Sequence, residues 1–335
     1  MGERLDCVHQ IGRRIKLRDL HIFLTVTQRG SMASAAAQLG VSQPAVSGVI
    51  SDLERTLGVR LFERSTRGVT PTIYAREMMD RSVAAFDELK QGIRTLENLA
   101  DPEAGEVWIG CIESISVLTL PPILHEFMRR YPRVVVHVQR LSPPTVEFRE
   151  LCERKLDLVL ARRPTQPIKN GDELSYEPLF DDQLAVVAGA RSHWARRKKL
   201  DLADLVNEPW VLTRPDCWAH TAVITAFRNR GLKAPHVGCM TQSMPLRASL
   251  AASGPYITVF ANSRNSLGPY QNLVKKLPID LPDCICPLAI ITLKGRLLNP
   301  VAQCFIEHLR SFARSHAPGR EHVDHGSPLV ADAGT

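Results

Sequence analysis

The sequence predicts an all-α N-terminal region joined to a larger α/β region, and three observations support this fold class. Between residues 17 and 100 the apolar side chains recur at helical spacing, with breaks at a few glycines. From Gly105 onward, short apolar runs rich in β-branched residues alternate with helical stretches. The segment DPEAG, residues 101–105, combines Pro and Gly where the helical pattern stops. We therefore place the main boundary there. The predicted strands are 107–110, 134–138, 156–160, 184–188, 256–260 and 288–293.

Composition excludes several classes of protein. A chain of 335 residues is longer than one hydrophobic core usually organises, which favours a small domain and a larger one. The contents of 44% hydrophobic and 23% charged residues are typical of globular proteins and argue against a disordered or fibrous chain. The net charge of +7 is compatible with a polyanionic partner, and residues 1–70 carry 10 basic against 6 acidic side chains. The eight cysteines show no paired spacing, as expected of reduced thiols in a cytosolic protein.

Neither end of the chain predicts a membrane, metal or cofactor site. The first residues are too polar for a secretory signal, and no apolar run approaches the roughly 18 residues of a spanning helix. We expect a cytoplasmic protein with a flexible arm over residues 1–15 and a disordered tail over residues 315–335. Three histidines in that tail are spaced too irregularly to predict metal binding, namely His316, His322 and His325.

Residues 32–50, MASAAAQLGVSQPAVSGVI, have the pattern of two helices joined by a tight turn. Ala36 is small enough for the helices to cross closely, and Gly40 can adopt the positive φ that ends the first helix. Ser42 is an N-cap candidate, and Pro44 falls in the first turn of the second helix, where a missing N–H costs nothing. Val46 places an apolar side chain at the contact between the helices. The pattern predicts a helix-turn-helix.

The second helix has one apolar and one polar face. Val46, Ile50, Leu53 and Leu57 recur at three- and four-residue steps, which leaves the opposite face open. That face suits the major groove, where Gln pairs with an adenine edge and Ser with a base or phosphate. The DNA-binding candidates on it are Ser42, Gln43, Pro44, Ser47 and Ser51.

A hairpin is predicted over residues 61–72, with Gly68 at its tip. It would bring Arg64 and Arg67 beside the DNA phosphates as a wing. The alternative is that these arginines form only a solvated face, and the pairing of the two favours phosphate contact.

The ordered run LRDLHIFLTV and GSMASAAAQLGVSQPAVSGVISDLERTLGVRLFERSTRGVTPT resembles the N-terminal signature of LysR-type transcriptional regulators. The resemblance implies a winged helix-turn-helix over residues 16–72 and a sequence-specific regulator that binds double-stranded DNA at the nucleoid. It places Ser42, Gln43, Pro44, Ser47 and Ser51 in the DNA-reading helix, and Arg64 and Arg67 in the wing.

Residues 73–100 predict one long linker helix whose apolar stripe includes Leu89, Leu96 and Leu99, widened by Ile93. The stripe packs either against its own domain or against a second copy. Almost no chain remains to cover it, which favours self-association. The resemblance agrees, since such regulators form homodimers through this helix and commonly homotetramers.

In the α/β region, a strand ending at Gly110 precedes the predicted loop CIESIS and then a helix begun near Pro121. Ligands in open α/β sheets bind beyond the carboxyl ends of strands, near helix N-termini. Ser114 and Ser116 therefore either donate to a ligand carboxylate, hydroxyl or phosphate, or only cap the following helix.

The runs EVWIG, LPPILHEFMRRYPRVVVHV and LDLVLAR resemble the effector domain of the same family, which has a two-lobed fold like that of periplasmic binding proteins. The resemblance implies that a small-molecule effector binds in the cleft between the lobes. It adds Thr213 and Thr241 on the second wall, and Arg162 facing inward, although a surface or hinge position for Arg162 stays open. The implied ranges are an effector domain over 105–314, with lobe I over 105–176 and 282–314 and lobe II over 177–281.

Cys217, beside Trp218, has two interpretations: a redox-sensing thiolate near Arg214 and His220, or a residue that merely lines the pocket. No resolving cysteine follows at short distance, which favours the second. Cys284 and Cys286 are one residue apart, a poor spacing for zinc or redox chemistry.

Two other classes of protein could share parts of this pattern. An α/β enzyme with an accessory DNA-binding arm lacks support, because the sequence has no G-x-S-x-G elbow, phosphate-binding glycine loop or H-E-x-x-H. No catalytic residues are predicted. A solute-binding protein would share the cleft but not residues 17–72.

Overall fold

A computed structural model describes residues 13–65, 68–101, 103–141, 148–162, 171–261, 267–281 and 284–315. Residues 1–12 and 316–335 hold most of the predicted arm and tail, with the three tail histidines, and lie outside the described residues. The chain divides into two compact units. The first runs to Leu96 and includes Cys152–Lys155, and the second holds the rest of the chain from Glu97.

The first unit is a set of three short helices, a two-stranded hairpin and a long helix. Its elements are α1 (Leu17–Arg29), α2 (Met32–Leu39), α3 (Gln43–Leu57), β1 (Phe62–Ser65), β2 (Gly68–Pro71) and α4 (Ile73–Ala100). Helix α4 continues into the second unit at Glu97.

The turn between α2 and α3 follows the chemistry of its residues. Gly40 ends α2 in the left-handed region at φ 65°, which costs a residue without Cβ little. The Ser42 hydroxyl accepts from the Ala45 N–H and so caps α3, and Pro44 lies in the first turn. Val46, Ile50 and Leu53 then pack into a core with α1 and α2.

Three contacts hold the hairpin beside the helices. Glu54 accepts from the backbone N–H groups of Leu61 and Phe62, at 2.8 and 3.1 Å. The Val69 N–H donates to the carbonyl of Gly30 at 3.0 Å. A Cβ at Gly68 would lie 2.5 Å from that carbonyl oxygen, so this close approach requires glycine.

The second unit is built on a seven-stranded mixed sheet with the order β10-β6-β11-β5-β3-β4, in which β9 also pairs with β6. A separate pair of parallel strands joins β7 to β8. The strands are β3 (Ala104–Cys111), β4 (Arg133–Arg140), β5 (Leu158–Arg162), β6 (Leu174–Gly189), β7 (Pro209–Leu212), β8 (His236–Met240), β9 (Thr258–Ala261), β10 (Val274–Lys276) and β11 (Ile285–Leu293). The helices are α5 (Glu113–Leu118), α6 (Leu120–Arg130), α7 (Arg149–Cys152), α8 (Trp218–Asn229), α9 (Met244–Ser253) and α10 (Pro300–Ser315).

Two halves share this sheet. In the first half, β3, β5, α6 and α10 surround one apolar core. In the second half, β7, α8 and the end of β6 surround another, and α9 packs on a third cluster beside it. Strand β6 passes from one half to the other, because it pairs with β11 up to Gln183 and with β9 from Leu184. The lobe boundaries implied by the resemblance stay predictions.

Each of the six predicted strands overlaps an observed one, but β7, β8 and β10 were missed. These three strands have only three to five residues, too few for a periodic signal. The predicted loop CIESIS is wrong in part, since Glu113–Leu118 forms the short helix α5. Among the described residues, no helix is both long and apolar enough to cross a membrane.

Candidate functional site

The polar face of α3 is open to solvent. Val46, Ile50 and Leu53 are at most 2% exposed on the opposite side. Of the residues predicted to contact DNA on this helix and its cap, Ser47 is half-buried and the others are exposed, namely Ser42, Gln43, Pro44 and Ser51. Hydroxyl and amide groups thus form one accessible surface, with donors and acceptors available to an outside partner.

Arg64 reaches this face from strand β1. Its guanidinium donates to the hydroxyls of Ser47 and Ser51, each at 3.4 Å, and its side chain is exposed. At this length both hydrogen bonds are weak, so the guanidinium retains donors for a phosphate or a base edge. Arg67, the other predicted wing residue, lies outside the described residues.

A second cluster surrounds Arg162 at the end of β5. The Arg162 side chain is only 10% exposed, so the surface position that the sequence left open is wrong. It forms an ion pair with Asp182 of β6 and donates to the Ser114 hydroxyl at 3.3 Å. Its guanidinium also lies 4.8 Å from the centre of the Trp218 ring. Arg162 therefore joins α5 of the first half to α8 of the second.

Thr213 and Thr241 lie side by side at the carboxyl ends of neighbouring parallel strands. Thr213 follows β7 and Thr241 follows β8, and the Thr241 N–H donates to the Leu212 carbonyl at 2.9 Å. The Thr213 carbonyl accepts from Nδ1 of His220 at 2.8 Å, and the Thr241 hydroxyl accepts from the Ser243 N–H at 3.2 Å. Thr241 thus supports the turn that begins α9.

Ser116 is not brought into this cluster. Its hydroxyl donates to the Glu113 carbonyl at 2.8 Å, inside helix α5. The alternative prediction, that Ser114 and Ser116 cap the following helix, is wrong, because Thr119 is the N-cap residue of α6 and no side chain caps it. Contact of these serines with a ligand stays a prediction. Of the two serines, only Ser114 contacts Arg162.

Sequence reasoning missed two charged residues close to this cluster. The Glu113 carboxylate accepts from the Met244 N–H at 3.1 Å, across the two halves. Arg247 of α9 is 5% exposed, and burial lowers its pKa to about 10. Glu113 lies two residues after the carboxyl end of β3, a position that could have identified it. Arg247 carried no such signal, because arginines in helices are usually exposed.

The surroundings of Cys217 do not favour a thiolate. Burial raises its pKa, and the neighbouring Asp216 carboxylate raises it further. Nε2 of Gln242 donates to the sulfur at 3.8 Å, which is a long hydrogen bond. Cys284 and Cys286 are buried, and burial also raises the pKa of Cys286. These surroundings indicate that the three thiols pack against their neighbours and do not take part in redox chemistry.

We expect Cys217 to react slowly with iodoacetamide at neutral pH. Because its pKa is raised above that of an ordinary thiol, a smaller fraction of Cys217 is ionised at pH 7, and the thiolate is the nucleophile. Mass spectrometry of the peptide carrying Cys217 should show a rate no faster than that of glutathione. A rate about tenfold faster would mean that an activated thiolate exists.

Family models match most of the chain. Residues 17–76 match the model described as "Bacterial regulatory helix-turn-helix protein, lysR family", and residues 100–314 match the "LysR substrate binding domain".

Known proteins match over similar lengths. The chain is 27% identical to the HTH-type transcriptional regulator GbpR of Azospirillum brasilense over 299 residues, which are 89% of this chain and 86% of that protein. The crystal structure of full-length CbnR with its target DNA has a TM-score of 0.52 at 22% identity, covering 89% of this chain and all of that one. The effector-binding domain of QuiR in complex with shikimate has a TM-score of 0.54 at 16% identity, covering 64% of this chain and all of that one. These likenesses confirm the predicted fold class.

Proposed function

This chain belongs to the LysR family of bacterial transcription regulators, and we propose that it reads DNA with the exposed face of α3 under the control of a small molecule bound between the halves of its second unit. Members of this family combine a helix-turn-helix with an effector-binding domain and are regulators rather than enzymes. The observation that carries the proposal is the polar face of α3, which the first unit leaves uncovered while it buries the apolar face.

In the proposed complex α3 enters the major groove. Gln43, at the start of the helix, offers its amide to an adenine edge, and Ser47 and Ser51 donate to bases or phosphates. Arg64 leaves the two serine hydroxyls and pairs with a phosphate, because a guanidinium–phosphate pair, in which both groups are charged, is stronger than two long hydrogen bonds to neutral hydroxyls. Residues 16–72 are the DNA-binding domain in this proposal, and the protein acts at the nucleoid.

Replacing Ser47 with arginine should weaken binding to the operator by about 10- to 100-fold, because the larger side chain fills the space that the groove floor occupies. The measurement is a gel shift at several salt concentrations, with an operator that the unmodified protein selects from a random pool. Wild-type affinity should fall steeply with salt.

The matched control is Ser253→Arg, which adds the same charge at an exposed position in the second unit and should leave operator affinity unchanged. Undiminished operator binding by Ser47→Arg would contradict the assignment of α3 to the groove.

We assign dimerisation to the apolar stripe of α4. Leu89, Ile93 and Leu96 are 47%, 58% and 67% exposed, although they lie on one side of the helix. The opposite side carries Asp87 and Gln91, since positions two apart on a helix differ by about 200°. Asp87 is buried and forms an ion pair with Arg154 at 3.0 Å.

The first unit therefore covers the polar side of α4 and leaves the apolar side for a partner. A second copy of the chain has the same exposed apolar stripe, so pairing of the two stripes would bury both. Two-fold pairing places two copies of α3 in successive major grooves of a roughly palindromic site, and dimers of dimers give the homotetramer.

The effector in this proposal binds next to Arg162, Ser114, Thr213 and Thr241. It contacts both halves, so it binds the closed arrangement more tightly and shifts the protein toward it. Residues 105–314 form the effector domain, with the lobes divided at 176/177 and 281/282. Footprinting with and without the effector should show a different protected length; the same footprint and unaltered transcription with a ligand that binds would contradict this coupling.

A further inference from the structure

The first turn of α9 has no free backbone donor. The Ser243 hydroxyl accepts from the Leu246 N–H at 3.3 Å, and Pro245 has no N–H to offer. The remaining donor, the Met244 N–H, is taken by the carboxylate of Glu113 at 3.1 Å. A helix N-terminus attracts anions, and here the anion comes from the other half of the same unit.

A buried cation lies at the same place. Arg247 is 5% exposed, and its charge interacts with the Glu113 carboxylate. One guanidinium nitrogen donates to the Val259 carbonyl at 2.8 Å, while Nε has no hydrogen-bond partner in the described part of the chain. We call the Met244 N–H together with the Arg247 guanidinium the α9 anion site. The Glu113 carboxylate thus accepts from the Met244 N–H and interacts with the charge of the buried Arg247.

The other arginines described near this site already have carboxylate partners. Arg162 pairs with Asp182, and Arg214 pairs with Asp216 at 3.0 Å. Arg140 approaches Glu113 at 3.6 Å but is 67% exposed, so water screens its charge. An acid group entering the cleft would meet arginines that are already neutralised and the negative charge of Glu113.

We propose that the Glu113 carboxylate occupies the α9 anion site and thereby determines that the effector is uncharged. Because the site holds a carboxylate of the chain itself, the cleft takes an uncharged, hydroxyl-bearing ligand and excludes an acid group from α9. A carboxylate has about four lone-pair positions, so Glu113 still accepts hydrogen bonds from ligand hydroxyls after it has bound Met244. This inference rests on the proposed function of the cleft as the effector site.

The test is chemical rescue of Glu113→Ala by acetate. The substitution removes the CH₂ and carboxylate groups of the side chain, a space that matches one acetate ion. We expect acetate to bind the variant at least about tenfold more tightly than the wild type. At ten times its dissociation constant it should raise the melting temperature of the variant by about 3 °C, relative to sodium chloride of equal ionic strength.

Acetamide, which has the shape of acetate without its charge, should not rescue. The control variant Glu126→Ala loses an exposed carboxylate on α6 and should show no response to acetate. Should Glu113→Ala fail to fold, Glu113→Ser leaves a similar space and is tested in the same way.

Three results of the melting-temperature assay would overturn the proposal: acetamide stabilises the variant as much as acetate does, acetate does not stabilise the variant, or acetate stabilises the wild type equally. So would a wild-type complex in which a ligand carboxylate takes the Met244 N–H. This assay uses neither DNA nor effector, so its failure is separate from failure of the proposed regulatory function, which the gel shift measures.

Discussion

Replacing Asp157 with alanine is expected to lower the free energy of unfolding of the second unit by about 3–5 kcal/mol, because it leaves a buried charge without its partner. The side chains of Asp157 and Arg296 are each 1% exposed, and the two groups lie 3.5 Å apart. Asp157 also accepts from the Trp108 N–H at 2.9 Å, and Arg296 donates to the Leu156 carbonyl. Loss of the carboxylate therefore removes both the acceptor of the Trp108 N–H on β3 and the negative charge that faces the buried Arg296 guanidinium.

Urea unfolding followed by tryptophan fluorescence measures this loss. Asp157→Asn should cost less, since the amide oxygen can still accept from Trp108. The comparison variant is Arg133→Ala, which breaks ion pairs with Asp101 and Glu103; Arg133 is 54% exposed, so water screens these pairs and the change should cost much less than Asp157→Ala. If the two alanine substitutions lower the free energy of unfolding by equally small amounts, the buried ion pair does not stabilise the second unit.

Replacing Ile93 with glutamate should convert the protein to monomers and remove most of its operator affinity. In a two-fold dimer the change buries two unpaired carboxylates within the apolar stripe of α4. A cost of about 3 kcal/mol or more corresponds to a dimer dissociation constant raised by at least about 100-fold. Sedimentation velocity measures the mass, and gel shifts with one and two half-sites measure the binding.

Arg81→Glu is the matched control, because it puts the same acidic side chain on α4 about three turns before Ile93, outside the segment from Leu89 to Leu99 that carries the stripe. It breaks only an ion pair with Glu77 whose side chains are 79% and 70% exposed. This variant should stay dimeric and bind DNA as the wild type does. A dimeric Ile93→Glu protein with full operator affinity would mean that another surface joins the copies.

Local signals in the sequence were enough for the first unit. Gly40, Ser42 and Pro44 act on backbone groups within four residues of themselves, so their effects can be read without knowledge of the fold. The apolar period of Val46, Ile50 and Leu53 predicted which face of α3 is buried, because one face of a helix must pack. The same argument predicted the exposed polar face on which the DNA-binding candidates lie.

Tertiary structure alone decided which polar side chains meet. Arg64 contacts Ser47 and Ser51, 17 and 13 residues away, and Glu113 contacts Met244, 131 residues away. Sequence reasoning chose Ser114 and Ser116 together, yet only Ser114 contacts Arg162, because the Ser116 hydroxyl donates to a carbonyl of its own short helix.

The sequence by itself therefore determined the fold class and the open face of α3, since these depend on periodicity and capping between near neighbours. The partners of Glu113, Arg162 and Arg247 depend on how β6 and β11 align the two halves. No local sequence pattern predicts such long-range pairs, so only the folded chain shows that a carboxylate of the chain itself occupies the α9 anion site.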